Sequence, residues 1–341
     1  MVPDPDNPAL PVNAPPRSQA IGMVVIGRNE GARLVRCLES CAREQAPVVY
    51  VDSGSTDGSP AAARALGAQV LALDMSFPFT AARARNEGFA ALIAAFPHVD
   101  RVQFLDGDCE LVPGWVAAAS AFLDDHLQVA AVCGRRVERF PEASVYNRLC
   151  DIEWNTPVGE AKAFGGDVLI RVQALAASGG YRPDLIAGEE PELCVRLRAA
   201  GGTVWRLGLD MTLHDAAMTR WKQWWRRSVR AGHAFAEGAW LHGAPPERHF
   251  VAETRRALLW GAALPLVLLV LTLARPALAW LWLVYPLQWL RVALMLRRQH
   301  RPLPWTQSAF FLQGRFAEAA GALRFWWGRT MERRSALIEY K

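Results

Sequence analysis

The sequence predicts an α/β protein with a mostly parallel sheet in its front part and an apolar helical region at its C-terminus. Three observations carry that expectation. Short β-branched runs alternate with helically spaced apolar residues from Ile21 to Leu105. Those runs end in polar or glycine residues, which puts a ligand edge at the strand C-termini. Finally, two uncharged stretches, residues 257–274 and 276–290, follow a basic and aromatic segment.

Element by element, Gly22-Met-Val-Val-Ile26 reads as the first strand. Leu34, Leu38 and Cys41 keep helical spacing, and Val48-Val-Tyr-Val51 is the second strand, so the unit reads as βαβ. Ser59 before Pro60 marks a helix start, Gly67 its end, and Ala68 to Leu73 the next strand. Thr80 is placed to cap a helix reaching about Phe96, and Arg101-Val-Gln-Phe-Leu105 makes the fourth strand. Further on, Val129 to Cys133 predicts a strand and Arg135 to Trp154 a long irregular stretch of the kind that carries function. A helix is expected from Pro191 to Ala200, stopped by Gly201-Gly202.

The 341 residues are 52% apolar and 21% charged, which excludes a disordered or fibrous chain. Residues 1–215 hold 19 basic and 27 acidic groups and residues 216–341 hold 19 and 6, so the net +5 conceals −8 in front and +13 behind. An acidic front domain argues against a nucleic-acid partner, which would need a basic face there. The split suits a catalytic domain tethered to an anionic membrane surface. Cys37, Cys41, Cys109, Cys133, Cys150 and Cys194 form no Cys-x-x-Cys pair and sit in apolar stretches, as buried reduced thiols of a cytosolic protein do. Residues 1–19 hold six prolines and no apolar run, so a disordered tail is expected there and not a signal peptide.

At ~1.5 Å per residue the first uncharged run is roughly 27 Å long, just enough for a bilayer core. Arg255 and Arg256 precede it, Arg291, Arg297 and Arg298 follow the second run, and Arg275-Pro276 breaks the two. Basic groups at both outer ends favour a hairpin with both termini cytoplasmic. A buried hairpin in a soluble domain is the competing reading, but five tryptophans and tyrosines between Trp260 and Trp289 fit a membrane interface better. Because an arginine in the turn can snorkel, shallow or re-entrant insertion stays open beside a spanning hairpin.

Several chemistries fall away at once. None of Lys162, Lys222 and Lys341 follows a glycine, so there is no Walker A loop, and neither Gly-x-Gly-x-x-Gly nor His-Glu-x-x-His occurs. What remains is acidic groups at strand ends. Asp52 heads Asp52-Ser-Gly-Ser-Thr-Asp57-Gly58 after a β-branched strand, where an ordinary Asx turn is the plain alternative. Asp106-Gly107-Asp108 follows another buried strand, and two aspartates one glycine apart can converge on a hard divalent cation. Glu189 and Glu190 come before the helix opening at Pro191; neighbours in an extended segment diverge, which leaves one of them to face a cleft as a general base. Glu192 reads as a helix-dipole partner, and His214, taken alone, as a structural histidine.

Together these pieces resemble the family 2 inverting glycosyltransferases of GT-A fold, of the bacterial membrane-associated type, with four motifs in the family's order over about residues 20–235. The resemblance implies a GT-A, Rossmann-like nucleotide-diphospho-sugar transferase domain over residues 20–235 and a membrane-associated helical region over residues 236–341. By that resemblance Ile26-Gly-Arg-Asn29-Glu30 borders the nucleotide, Asp52 meets the nucleobase and Glu30 the base or ribose. Ala84-Arg85-Asn86-Glu87-Gly88 makes Arg85 a candidate for the diphosphate side. Asp106 and Asp108 match the metal-binding Asp-x-Asp, and Gly165-Gly166-Asp167 matches the stretch flanking the donor sugar. Glu189-Glu190 stands where the family has Glu-Asp, with Glu190 in the base position, and His214 falls where many such enzymes have a histidine near metal and diphosphate. Gln223-Trp224-Trp225-Arg226-Arg227 is similar to the Gln-x-x-Arg-Trp of processive members but ends in arginine, and a basic aromatic helix lying on the membrane is at least as good a reading.

The resemblance thus implies a metal-dependent hexosyltransferase with Mg2+ or Mn2+ as cofactor and a nucleotide-sugar, UDP-linked by family tendency, as donor. A lipid-linked sugar or growing polysaccharide of the cell envelope is the expected acceptor, with the catalytic domain on the cytoplasmic side of the cell inner membrane. Two alternatives remain: a polyprenyl-phosphate glycosyltransferase, whose acceptor needs no base, and a non-catalytic membrane scaffold that keeps the fold.

Overall fold

The computed structural model describes residues 21–331, so the expected tail at residues 1–19 lies outside the described residues. Among the described residues the frame is a mixed sheet of nine strands. Its front half follows the βα alternation: β1 (Ile21–Gly27), α1 (Ala32–Ala42), β2 (Val48–Asp52), α2 (Ser59–Ala65), β3 (Gln69–Ala72), α3 (Ala81–Ala95) and β4 (Arg101–Asp106). β1 lies between β2 and β4, and all four strands run parallel. Thr80 caps α3 as expected, its side chain accepting from the Arg83 amide. The apolar faces of these strands, among them Val24, Val49, Val51, Val102 and Phe104, form the centre of the core.

The rear half is mixed: β5 (Cys109–Leu111), α4 (Trp115–Asp125), β6 (Val129–Glu138), α5 (Val145–Trp154), β7 (Gly159–Glu160), β8 (Val168–Arg171), α6 (Val172–Ala177), α7 (Glu189–Ala199) and β9 (Thr203–His214). β8 pairs antiparallel with β4 and β6, and β6 runs parallel to β9.

Two expectations need correction here. The stretch from Arg135 to Trp154 is largely regular: β6 continues to Glu138, with register shifts at Arg135 and Arg136 that let the strand follow β9 through polar residues, and Ser144 caps α5 by accepting from the Asn147 amide. Helix α7 begins at Glu189, not Pro191. Gly188 takes φ +80, a left-handed conformation that glycine adopts without steric cost, and the missing amide of Pro191 is no loss inside a first turn. Glu189 and Glu190 are therefore first-turn residues on a helix, not members of an extended segment.

After β9 the chain becomes helical: α8 (Trp221–His242), α9 (Val251–Leu258), a π segment at Leu259–Ala263, α10 (Leu264–Ala274), a 3-10 segment at Pro276–Leu283, α11 (Val284–Arg298) and α12 (Pro304–Thr330). Helix α8 runs through residues 235 and 236, where the expected domain boundary falls. Among the described residues two apolar helical lengths, Val251–Ala274 and Pro276–Arg298, are long enough to cross a membrane, and only 11% and 6% of their most apolar stretches are buried. The long α12 that follows shows no simple pattern in the sequence, yet it packs along α8, α9 and α11. Its contact with α8 is close: a side-chain carbon on Gly232 would run into the Glu318 carbonyl, and one on Gly321 into the Val229 carbonyl. The aromatic helix α8 is accordingly not a free surface element, since Trp224 is buried against Phe310 of α12.

Candidate functional site

The site lies at the C-terminal edge of β1, β2 and β4. Register alone assembles its floor, because Gly27 pairs with Asp52 on one side of β1 and Ile26 with Asp106 on the other. Asn29 ties the loop after β1 to the loop after β2, its side-chain Oδ1 accepting from the Thr56 backbone amide at 2.7 Å and its own backbone N–H donating to Ser55 Oγ at 2.9 Å. Asp52 is buried and accepts from Tyr50 Oη at 3.0 Å, from the Gly54 amide at 3.1 Å and from the Ser55 amide at 3.0 Å. Its carboxylate thus folds the turn in the plain Asx manner. Glu30 pairs with Arg33 at 2.8 Å.

Beside this floor stands a network of carboxylates and arginines. Arg85 of α3, 2% exposed, donates to Asp106 Oδ1 at 2.9 Å and to Glu189 Oε1 at 3.0 Å, and lies 3.3 Å from Glu190 Oε1. Its guanidinium also stacks over Tyr181, 5.5 Å from the ring centre. Arg136 donates to Asp106 Oδ2 at 3.2 Å and to Asp167 Oδ2 at 3.0 Å. Asp167 in turn accepts from the Asp106 amide at 3.0 Å and from Thr212 Oγ1 at 2.7 Å. A buried charge needs a partner, and here each supplies the other's. Burial, and next the charge of Glu189, push the Glu190 carboxyl up to about 7 against the pull of Arg85. That is the range of a group poised to exchange a proton near neutral pH.

Asp108 points into a neighbouring pocket. Its Oδ2 lies 3.4 Å from His214 Nε2 and its Oδ1 accepts from the Cys109 thiol at 3.7 Å. Glu138 Oε2 stands 3.7 Å from His214 Nδ1, on the far side of the ring. Glu138 is fixed by donors from the Phe140 amide, Asn147 Nδ2 and the Ala216 amide. Trp154 meets the His214 ring edge-on at 4.7 Å. Burial lowers the pKa of His214, which favours a neutral imidazole able to offer a lone pair.

Two groups of donor atoms have metal-ligand proximity among the described residues: Asp108, Cys109 and His214, and Asp106, Cys109 and Asp167. In the second, Arg136 already lies on both carboxylates. The first offers carboxylate and imidazole in a buried pocket with an outer carboxylate behind the histidine, and this set fits a divalent cation.

Sequence reasoning placed Arg85, Asp106, Asp108, Asp167, Glu189, Glu190 and His214 together, and the fold does bring them to one edge. Arg85, expected on the diphosphate side, has its guanidinium engaged by three carboxylates, those of Asp106, Glu189 and Glu190. Arg136, Glu138, Trp154 and Thr212 were missed. Arg136 and Trp154 lie in the stretch marked as functional, but only the pairing of β6 with β9 reveals where Arg136 points.

Residues 23–176 match the family described as glycosyl transferase family 2. A TPR repeat-containing protein of Synechococcus elongatus is 31% identical over 138 residues, 40% of this chain and 32% of that protein. The chain thus matches about a third of that relative's length. Among solved structures, the mannosyltransferase PcManGT of Pyrobaculum calidifontis, in complex with GDP-Man and Mn2+, aligns over 91% of this chain and 88% of its own with a TM-score of 0.61 at 21% identity. The fold is the GT-A fold of glycosyltransferases.

Proposed function

We propose that this chain, whose residues 23–176 match glycosyl transferase family 2 and whose fold is GT-A, is an inverting hexosyltransferase that moves a sugar from a nucleotide-diphosphate donor to an acceptor hydroxyl. The single observation that carries the reading is the convergence of the Asp-x-Asp carboxylate Asp106 and the helix residues Glu189 and Glu190 on one buried guanidinium, that of Arg85. A UDP-linked sugar is the expected donor, bordered by Glu30, Asp52 and Asp167.

The roles follow from the chemistry of the groups. Glu190, 17% exposed and held near neutral pKa, takes the proton of the acceptor hydroxyl as that oxygen bonds to the anomeric carbon. The bond from that carbon to the diphosphate oxygen breaks in the same displacement, and one displacement inverts configuration. Glu189, 4% exposed, orients Arg85 and does not face the acceptor. Asp108 and His214, with Asp106 beside them, would hold Mg2+ or Mn2+, which when bound supplies positive charge to the leaving diphosphate. Arg85 and Arg136 keep Asp106 and Asp167 in place.

The membrane is the second partner. Leu266, Val267, Val270, Leu273, Trp280 and Leu283 are all more than half exposed, which a soluble core hairpin would not tolerate. From Arg256 to Arg275 the first arm rises about 28 Å. From Arg275 to Arg291 the 3-10 segment and the start of α11 give about 28 Å. Both arms therefore set their arginines at two levels near the ~30 Å spacing of a bilayer core, and this supports a spanning hairpin with the site on the cytoplasmic side of the inner membrane. A lipid-linked sugar or a nascent polysaccharide is the acceptor class that such an anchor favours.

A screen of nucleotide-sugars for binding and slow hydrolysis by the detergent-solubilised chain tests the reading. Donor-dependent hydrolysis or transfer that needs a divalent ion supports it; no binding of any nucleotide-sugar overturns it.

A further inference from the structure

Helix α12 crosses the apolar hairpin close to its base. On the second arm Ser308 Oγ donates to the Trp289 carbonyl at 2.6 Å, and Phe316 stacks on Tyr285 with ring centres 5.8 Å apart. On the first arm Gly261 lies against Arg315 and Ala319, and Leu258 packs on the cluster of Ala236, Ala322 and Phe325. None of these four hairpin residues is more than six positions from the basic ends at Arg256 and Arg291. While α12 advances from Arg315 to Ala322, its partner on the first arm moves only from Gly261 to Leu258, so the helix runs across that arm and not along it. Its 27 residues span about 40 Å, far more than the ~10 Å between packed helices, and its last turns therefore project past the hairpin.

Two faces of α12 have different surroundings. Phe310, Glu318 and Gly321 meet α8 at Trp224, Gly232 and Val229. The face toward the hairpin, with Ser308, Arg315, Ala319 and Ala322, continues at helical spacing through Leu323, Trp326 and Thr330. Beyond the hairpin, apolar groups on and beside this face are open: Leu323, Trp326, Trp327 and Met331 are all more than a third exposed, Trp327 63%. Trp240, near the end of α8 and edge-on to Trp326, is about half exposed too. Residues 319–331 carry Arg324 and Arg329 and no acid, and the Arg329 guanidinium lies over the Trp240 ring, 4.0 Å from its centre. Tryptophans beside unopposed arginines match a headgroup layer, whose anionic lipids attract the arginines while the indole rings sit at its depth.

We propose that the end of α12, from Ala320 to Met331, together with Trp240, is an in-plane anchor that seats Trp327 at the headgroup boundary of an anionic bilayer, beside the spanning arms. The inference rests on the spanning hairpin proposed above. A hairpin alone fixes where the chain is attached. A second contact farther along α12 also fixes the tilt of α8 and of the catalytic domain above it.

The test puts a nitroxide on single introduced cysteines of the full chain in vesicles of equal parts phosphatidylcholine and phosphatidylglycerol. Depth is read from collisions with lipid-soluble oxygen and with a water-soluble nickel chelate. Leu323→Cys and Trp327→Cys report on the anchor, Val267→Cys on the hairpin and Leu127→Cys on water around the catalytic domain; all four positions are exposed, and the six native cysteines are buried. The two anchor labels are expected ~5–10 Å inside the headgroup boundary, the depth usual for an in-plane helix, with the Val267 label deeper and the Leu127 label in water. Anchor labels in water with the Val267 label still deep overturn the anchor and leave the hairpin standing. Anchor labels shielded from both reagents overturn lipid as the occupant in favour of another segment of this chain or a second copy. A Val267 label in water overturns the hairpin, and the anchor with it. Equal anchor depth in phosphatidylcholine alone overturns the part assigned to Arg324 and Arg329.

Discussion

Arg85 lies 3.3 Å from Glu190 while donating at 2.9 Å to Asp106, so one guanidinium joins the end of β4 to the first turn of α7. The candidate base and the Asp-x-Asp turn are thereby held in fixed relation before any ligand arrives, which is the economy expected of a preorganised site.

The Glu190 carboxyl, pushed up to about 7 by burial and by Glu189, gives the first prediction. A base must be ionised to act, so transfer should rise with pH through about 7 and be lost below it. Glu190→Gln should remove that limb of the profile and lower turnover ~100-fold or more with little change in donor affinity. Because the folded pKa exceeds the ordinary 4.5, the contribution of this group to stability falls as pH rises from 4.5 through about 7. Near-normal transfer by the variant would favour a phosphate acceptor.

Removing the guanidinium should unbalance three carboxylates at once. Arg85→Met is expected to cost about 3–5 kcal/mol of stability, as breaking a buried ion pair does, whereas Glu189→Gln keeps the shape of one partner and costs less. Chemical denaturation of the two variants compares them directly, and an equal loss would contradict the ranking.

Chelation with excess EDTA should abolish turnover, and Asp108→Asn should do so with the fold intact. Glu138→Gln, which leaves every direct donor in place, should weaken cation affinity ~10–100-fold through loss of the carboxylate behind His214. Calorimetry with Mn2+ provides the measure.

Attachment to membranes should survive a high-salt wash, because apolar burial and not screened charge holds the hairpin. A cysteine at Ala277, beside the Arg275 turn, should react with an impermeant maleimide only from the face opposite the catalytic domain. Labelling from the same face would establish a shallow, re-entrant hairpin instead.

How far the sequence could be read depended on whether an element is locally specified. β1 to β4 and α3 were legible because β-branched runs, Thr80 and Gly67 act within a few residues. β8 was not, since its place between β4 and β6 depends on partners far away in the chain. The start of α7 was misplaced by two residues because Pro191 takes the third helical position instead of the first. Helix α12 escaped because Gln313, Arg315 and Glu318 interrupt its apolar pattern where it meets other helices. The acidic members of the site stood out at strand ends; Arg136 and Glu138, brought in by the bulged pairing of β6 with β9, carried no local signal.

The glycine contacts between α8 and α12 have one further effect. α8 packs on the Gly188 turn that launches α7, with Ala234 Cβ 3.1 Å from where a Gly188 side chain would begin, and α12 grips both α8 and the base of the hairpin. If the hairpin lies in a bilayer as proposed, this bracing would work as a ruler that holds Glu190 at one altitude above the lipid headgroups. An acceptor whose hydroxyl rides at that altitude would then be met without search, and one held closer to or farther from the surface would be passed over.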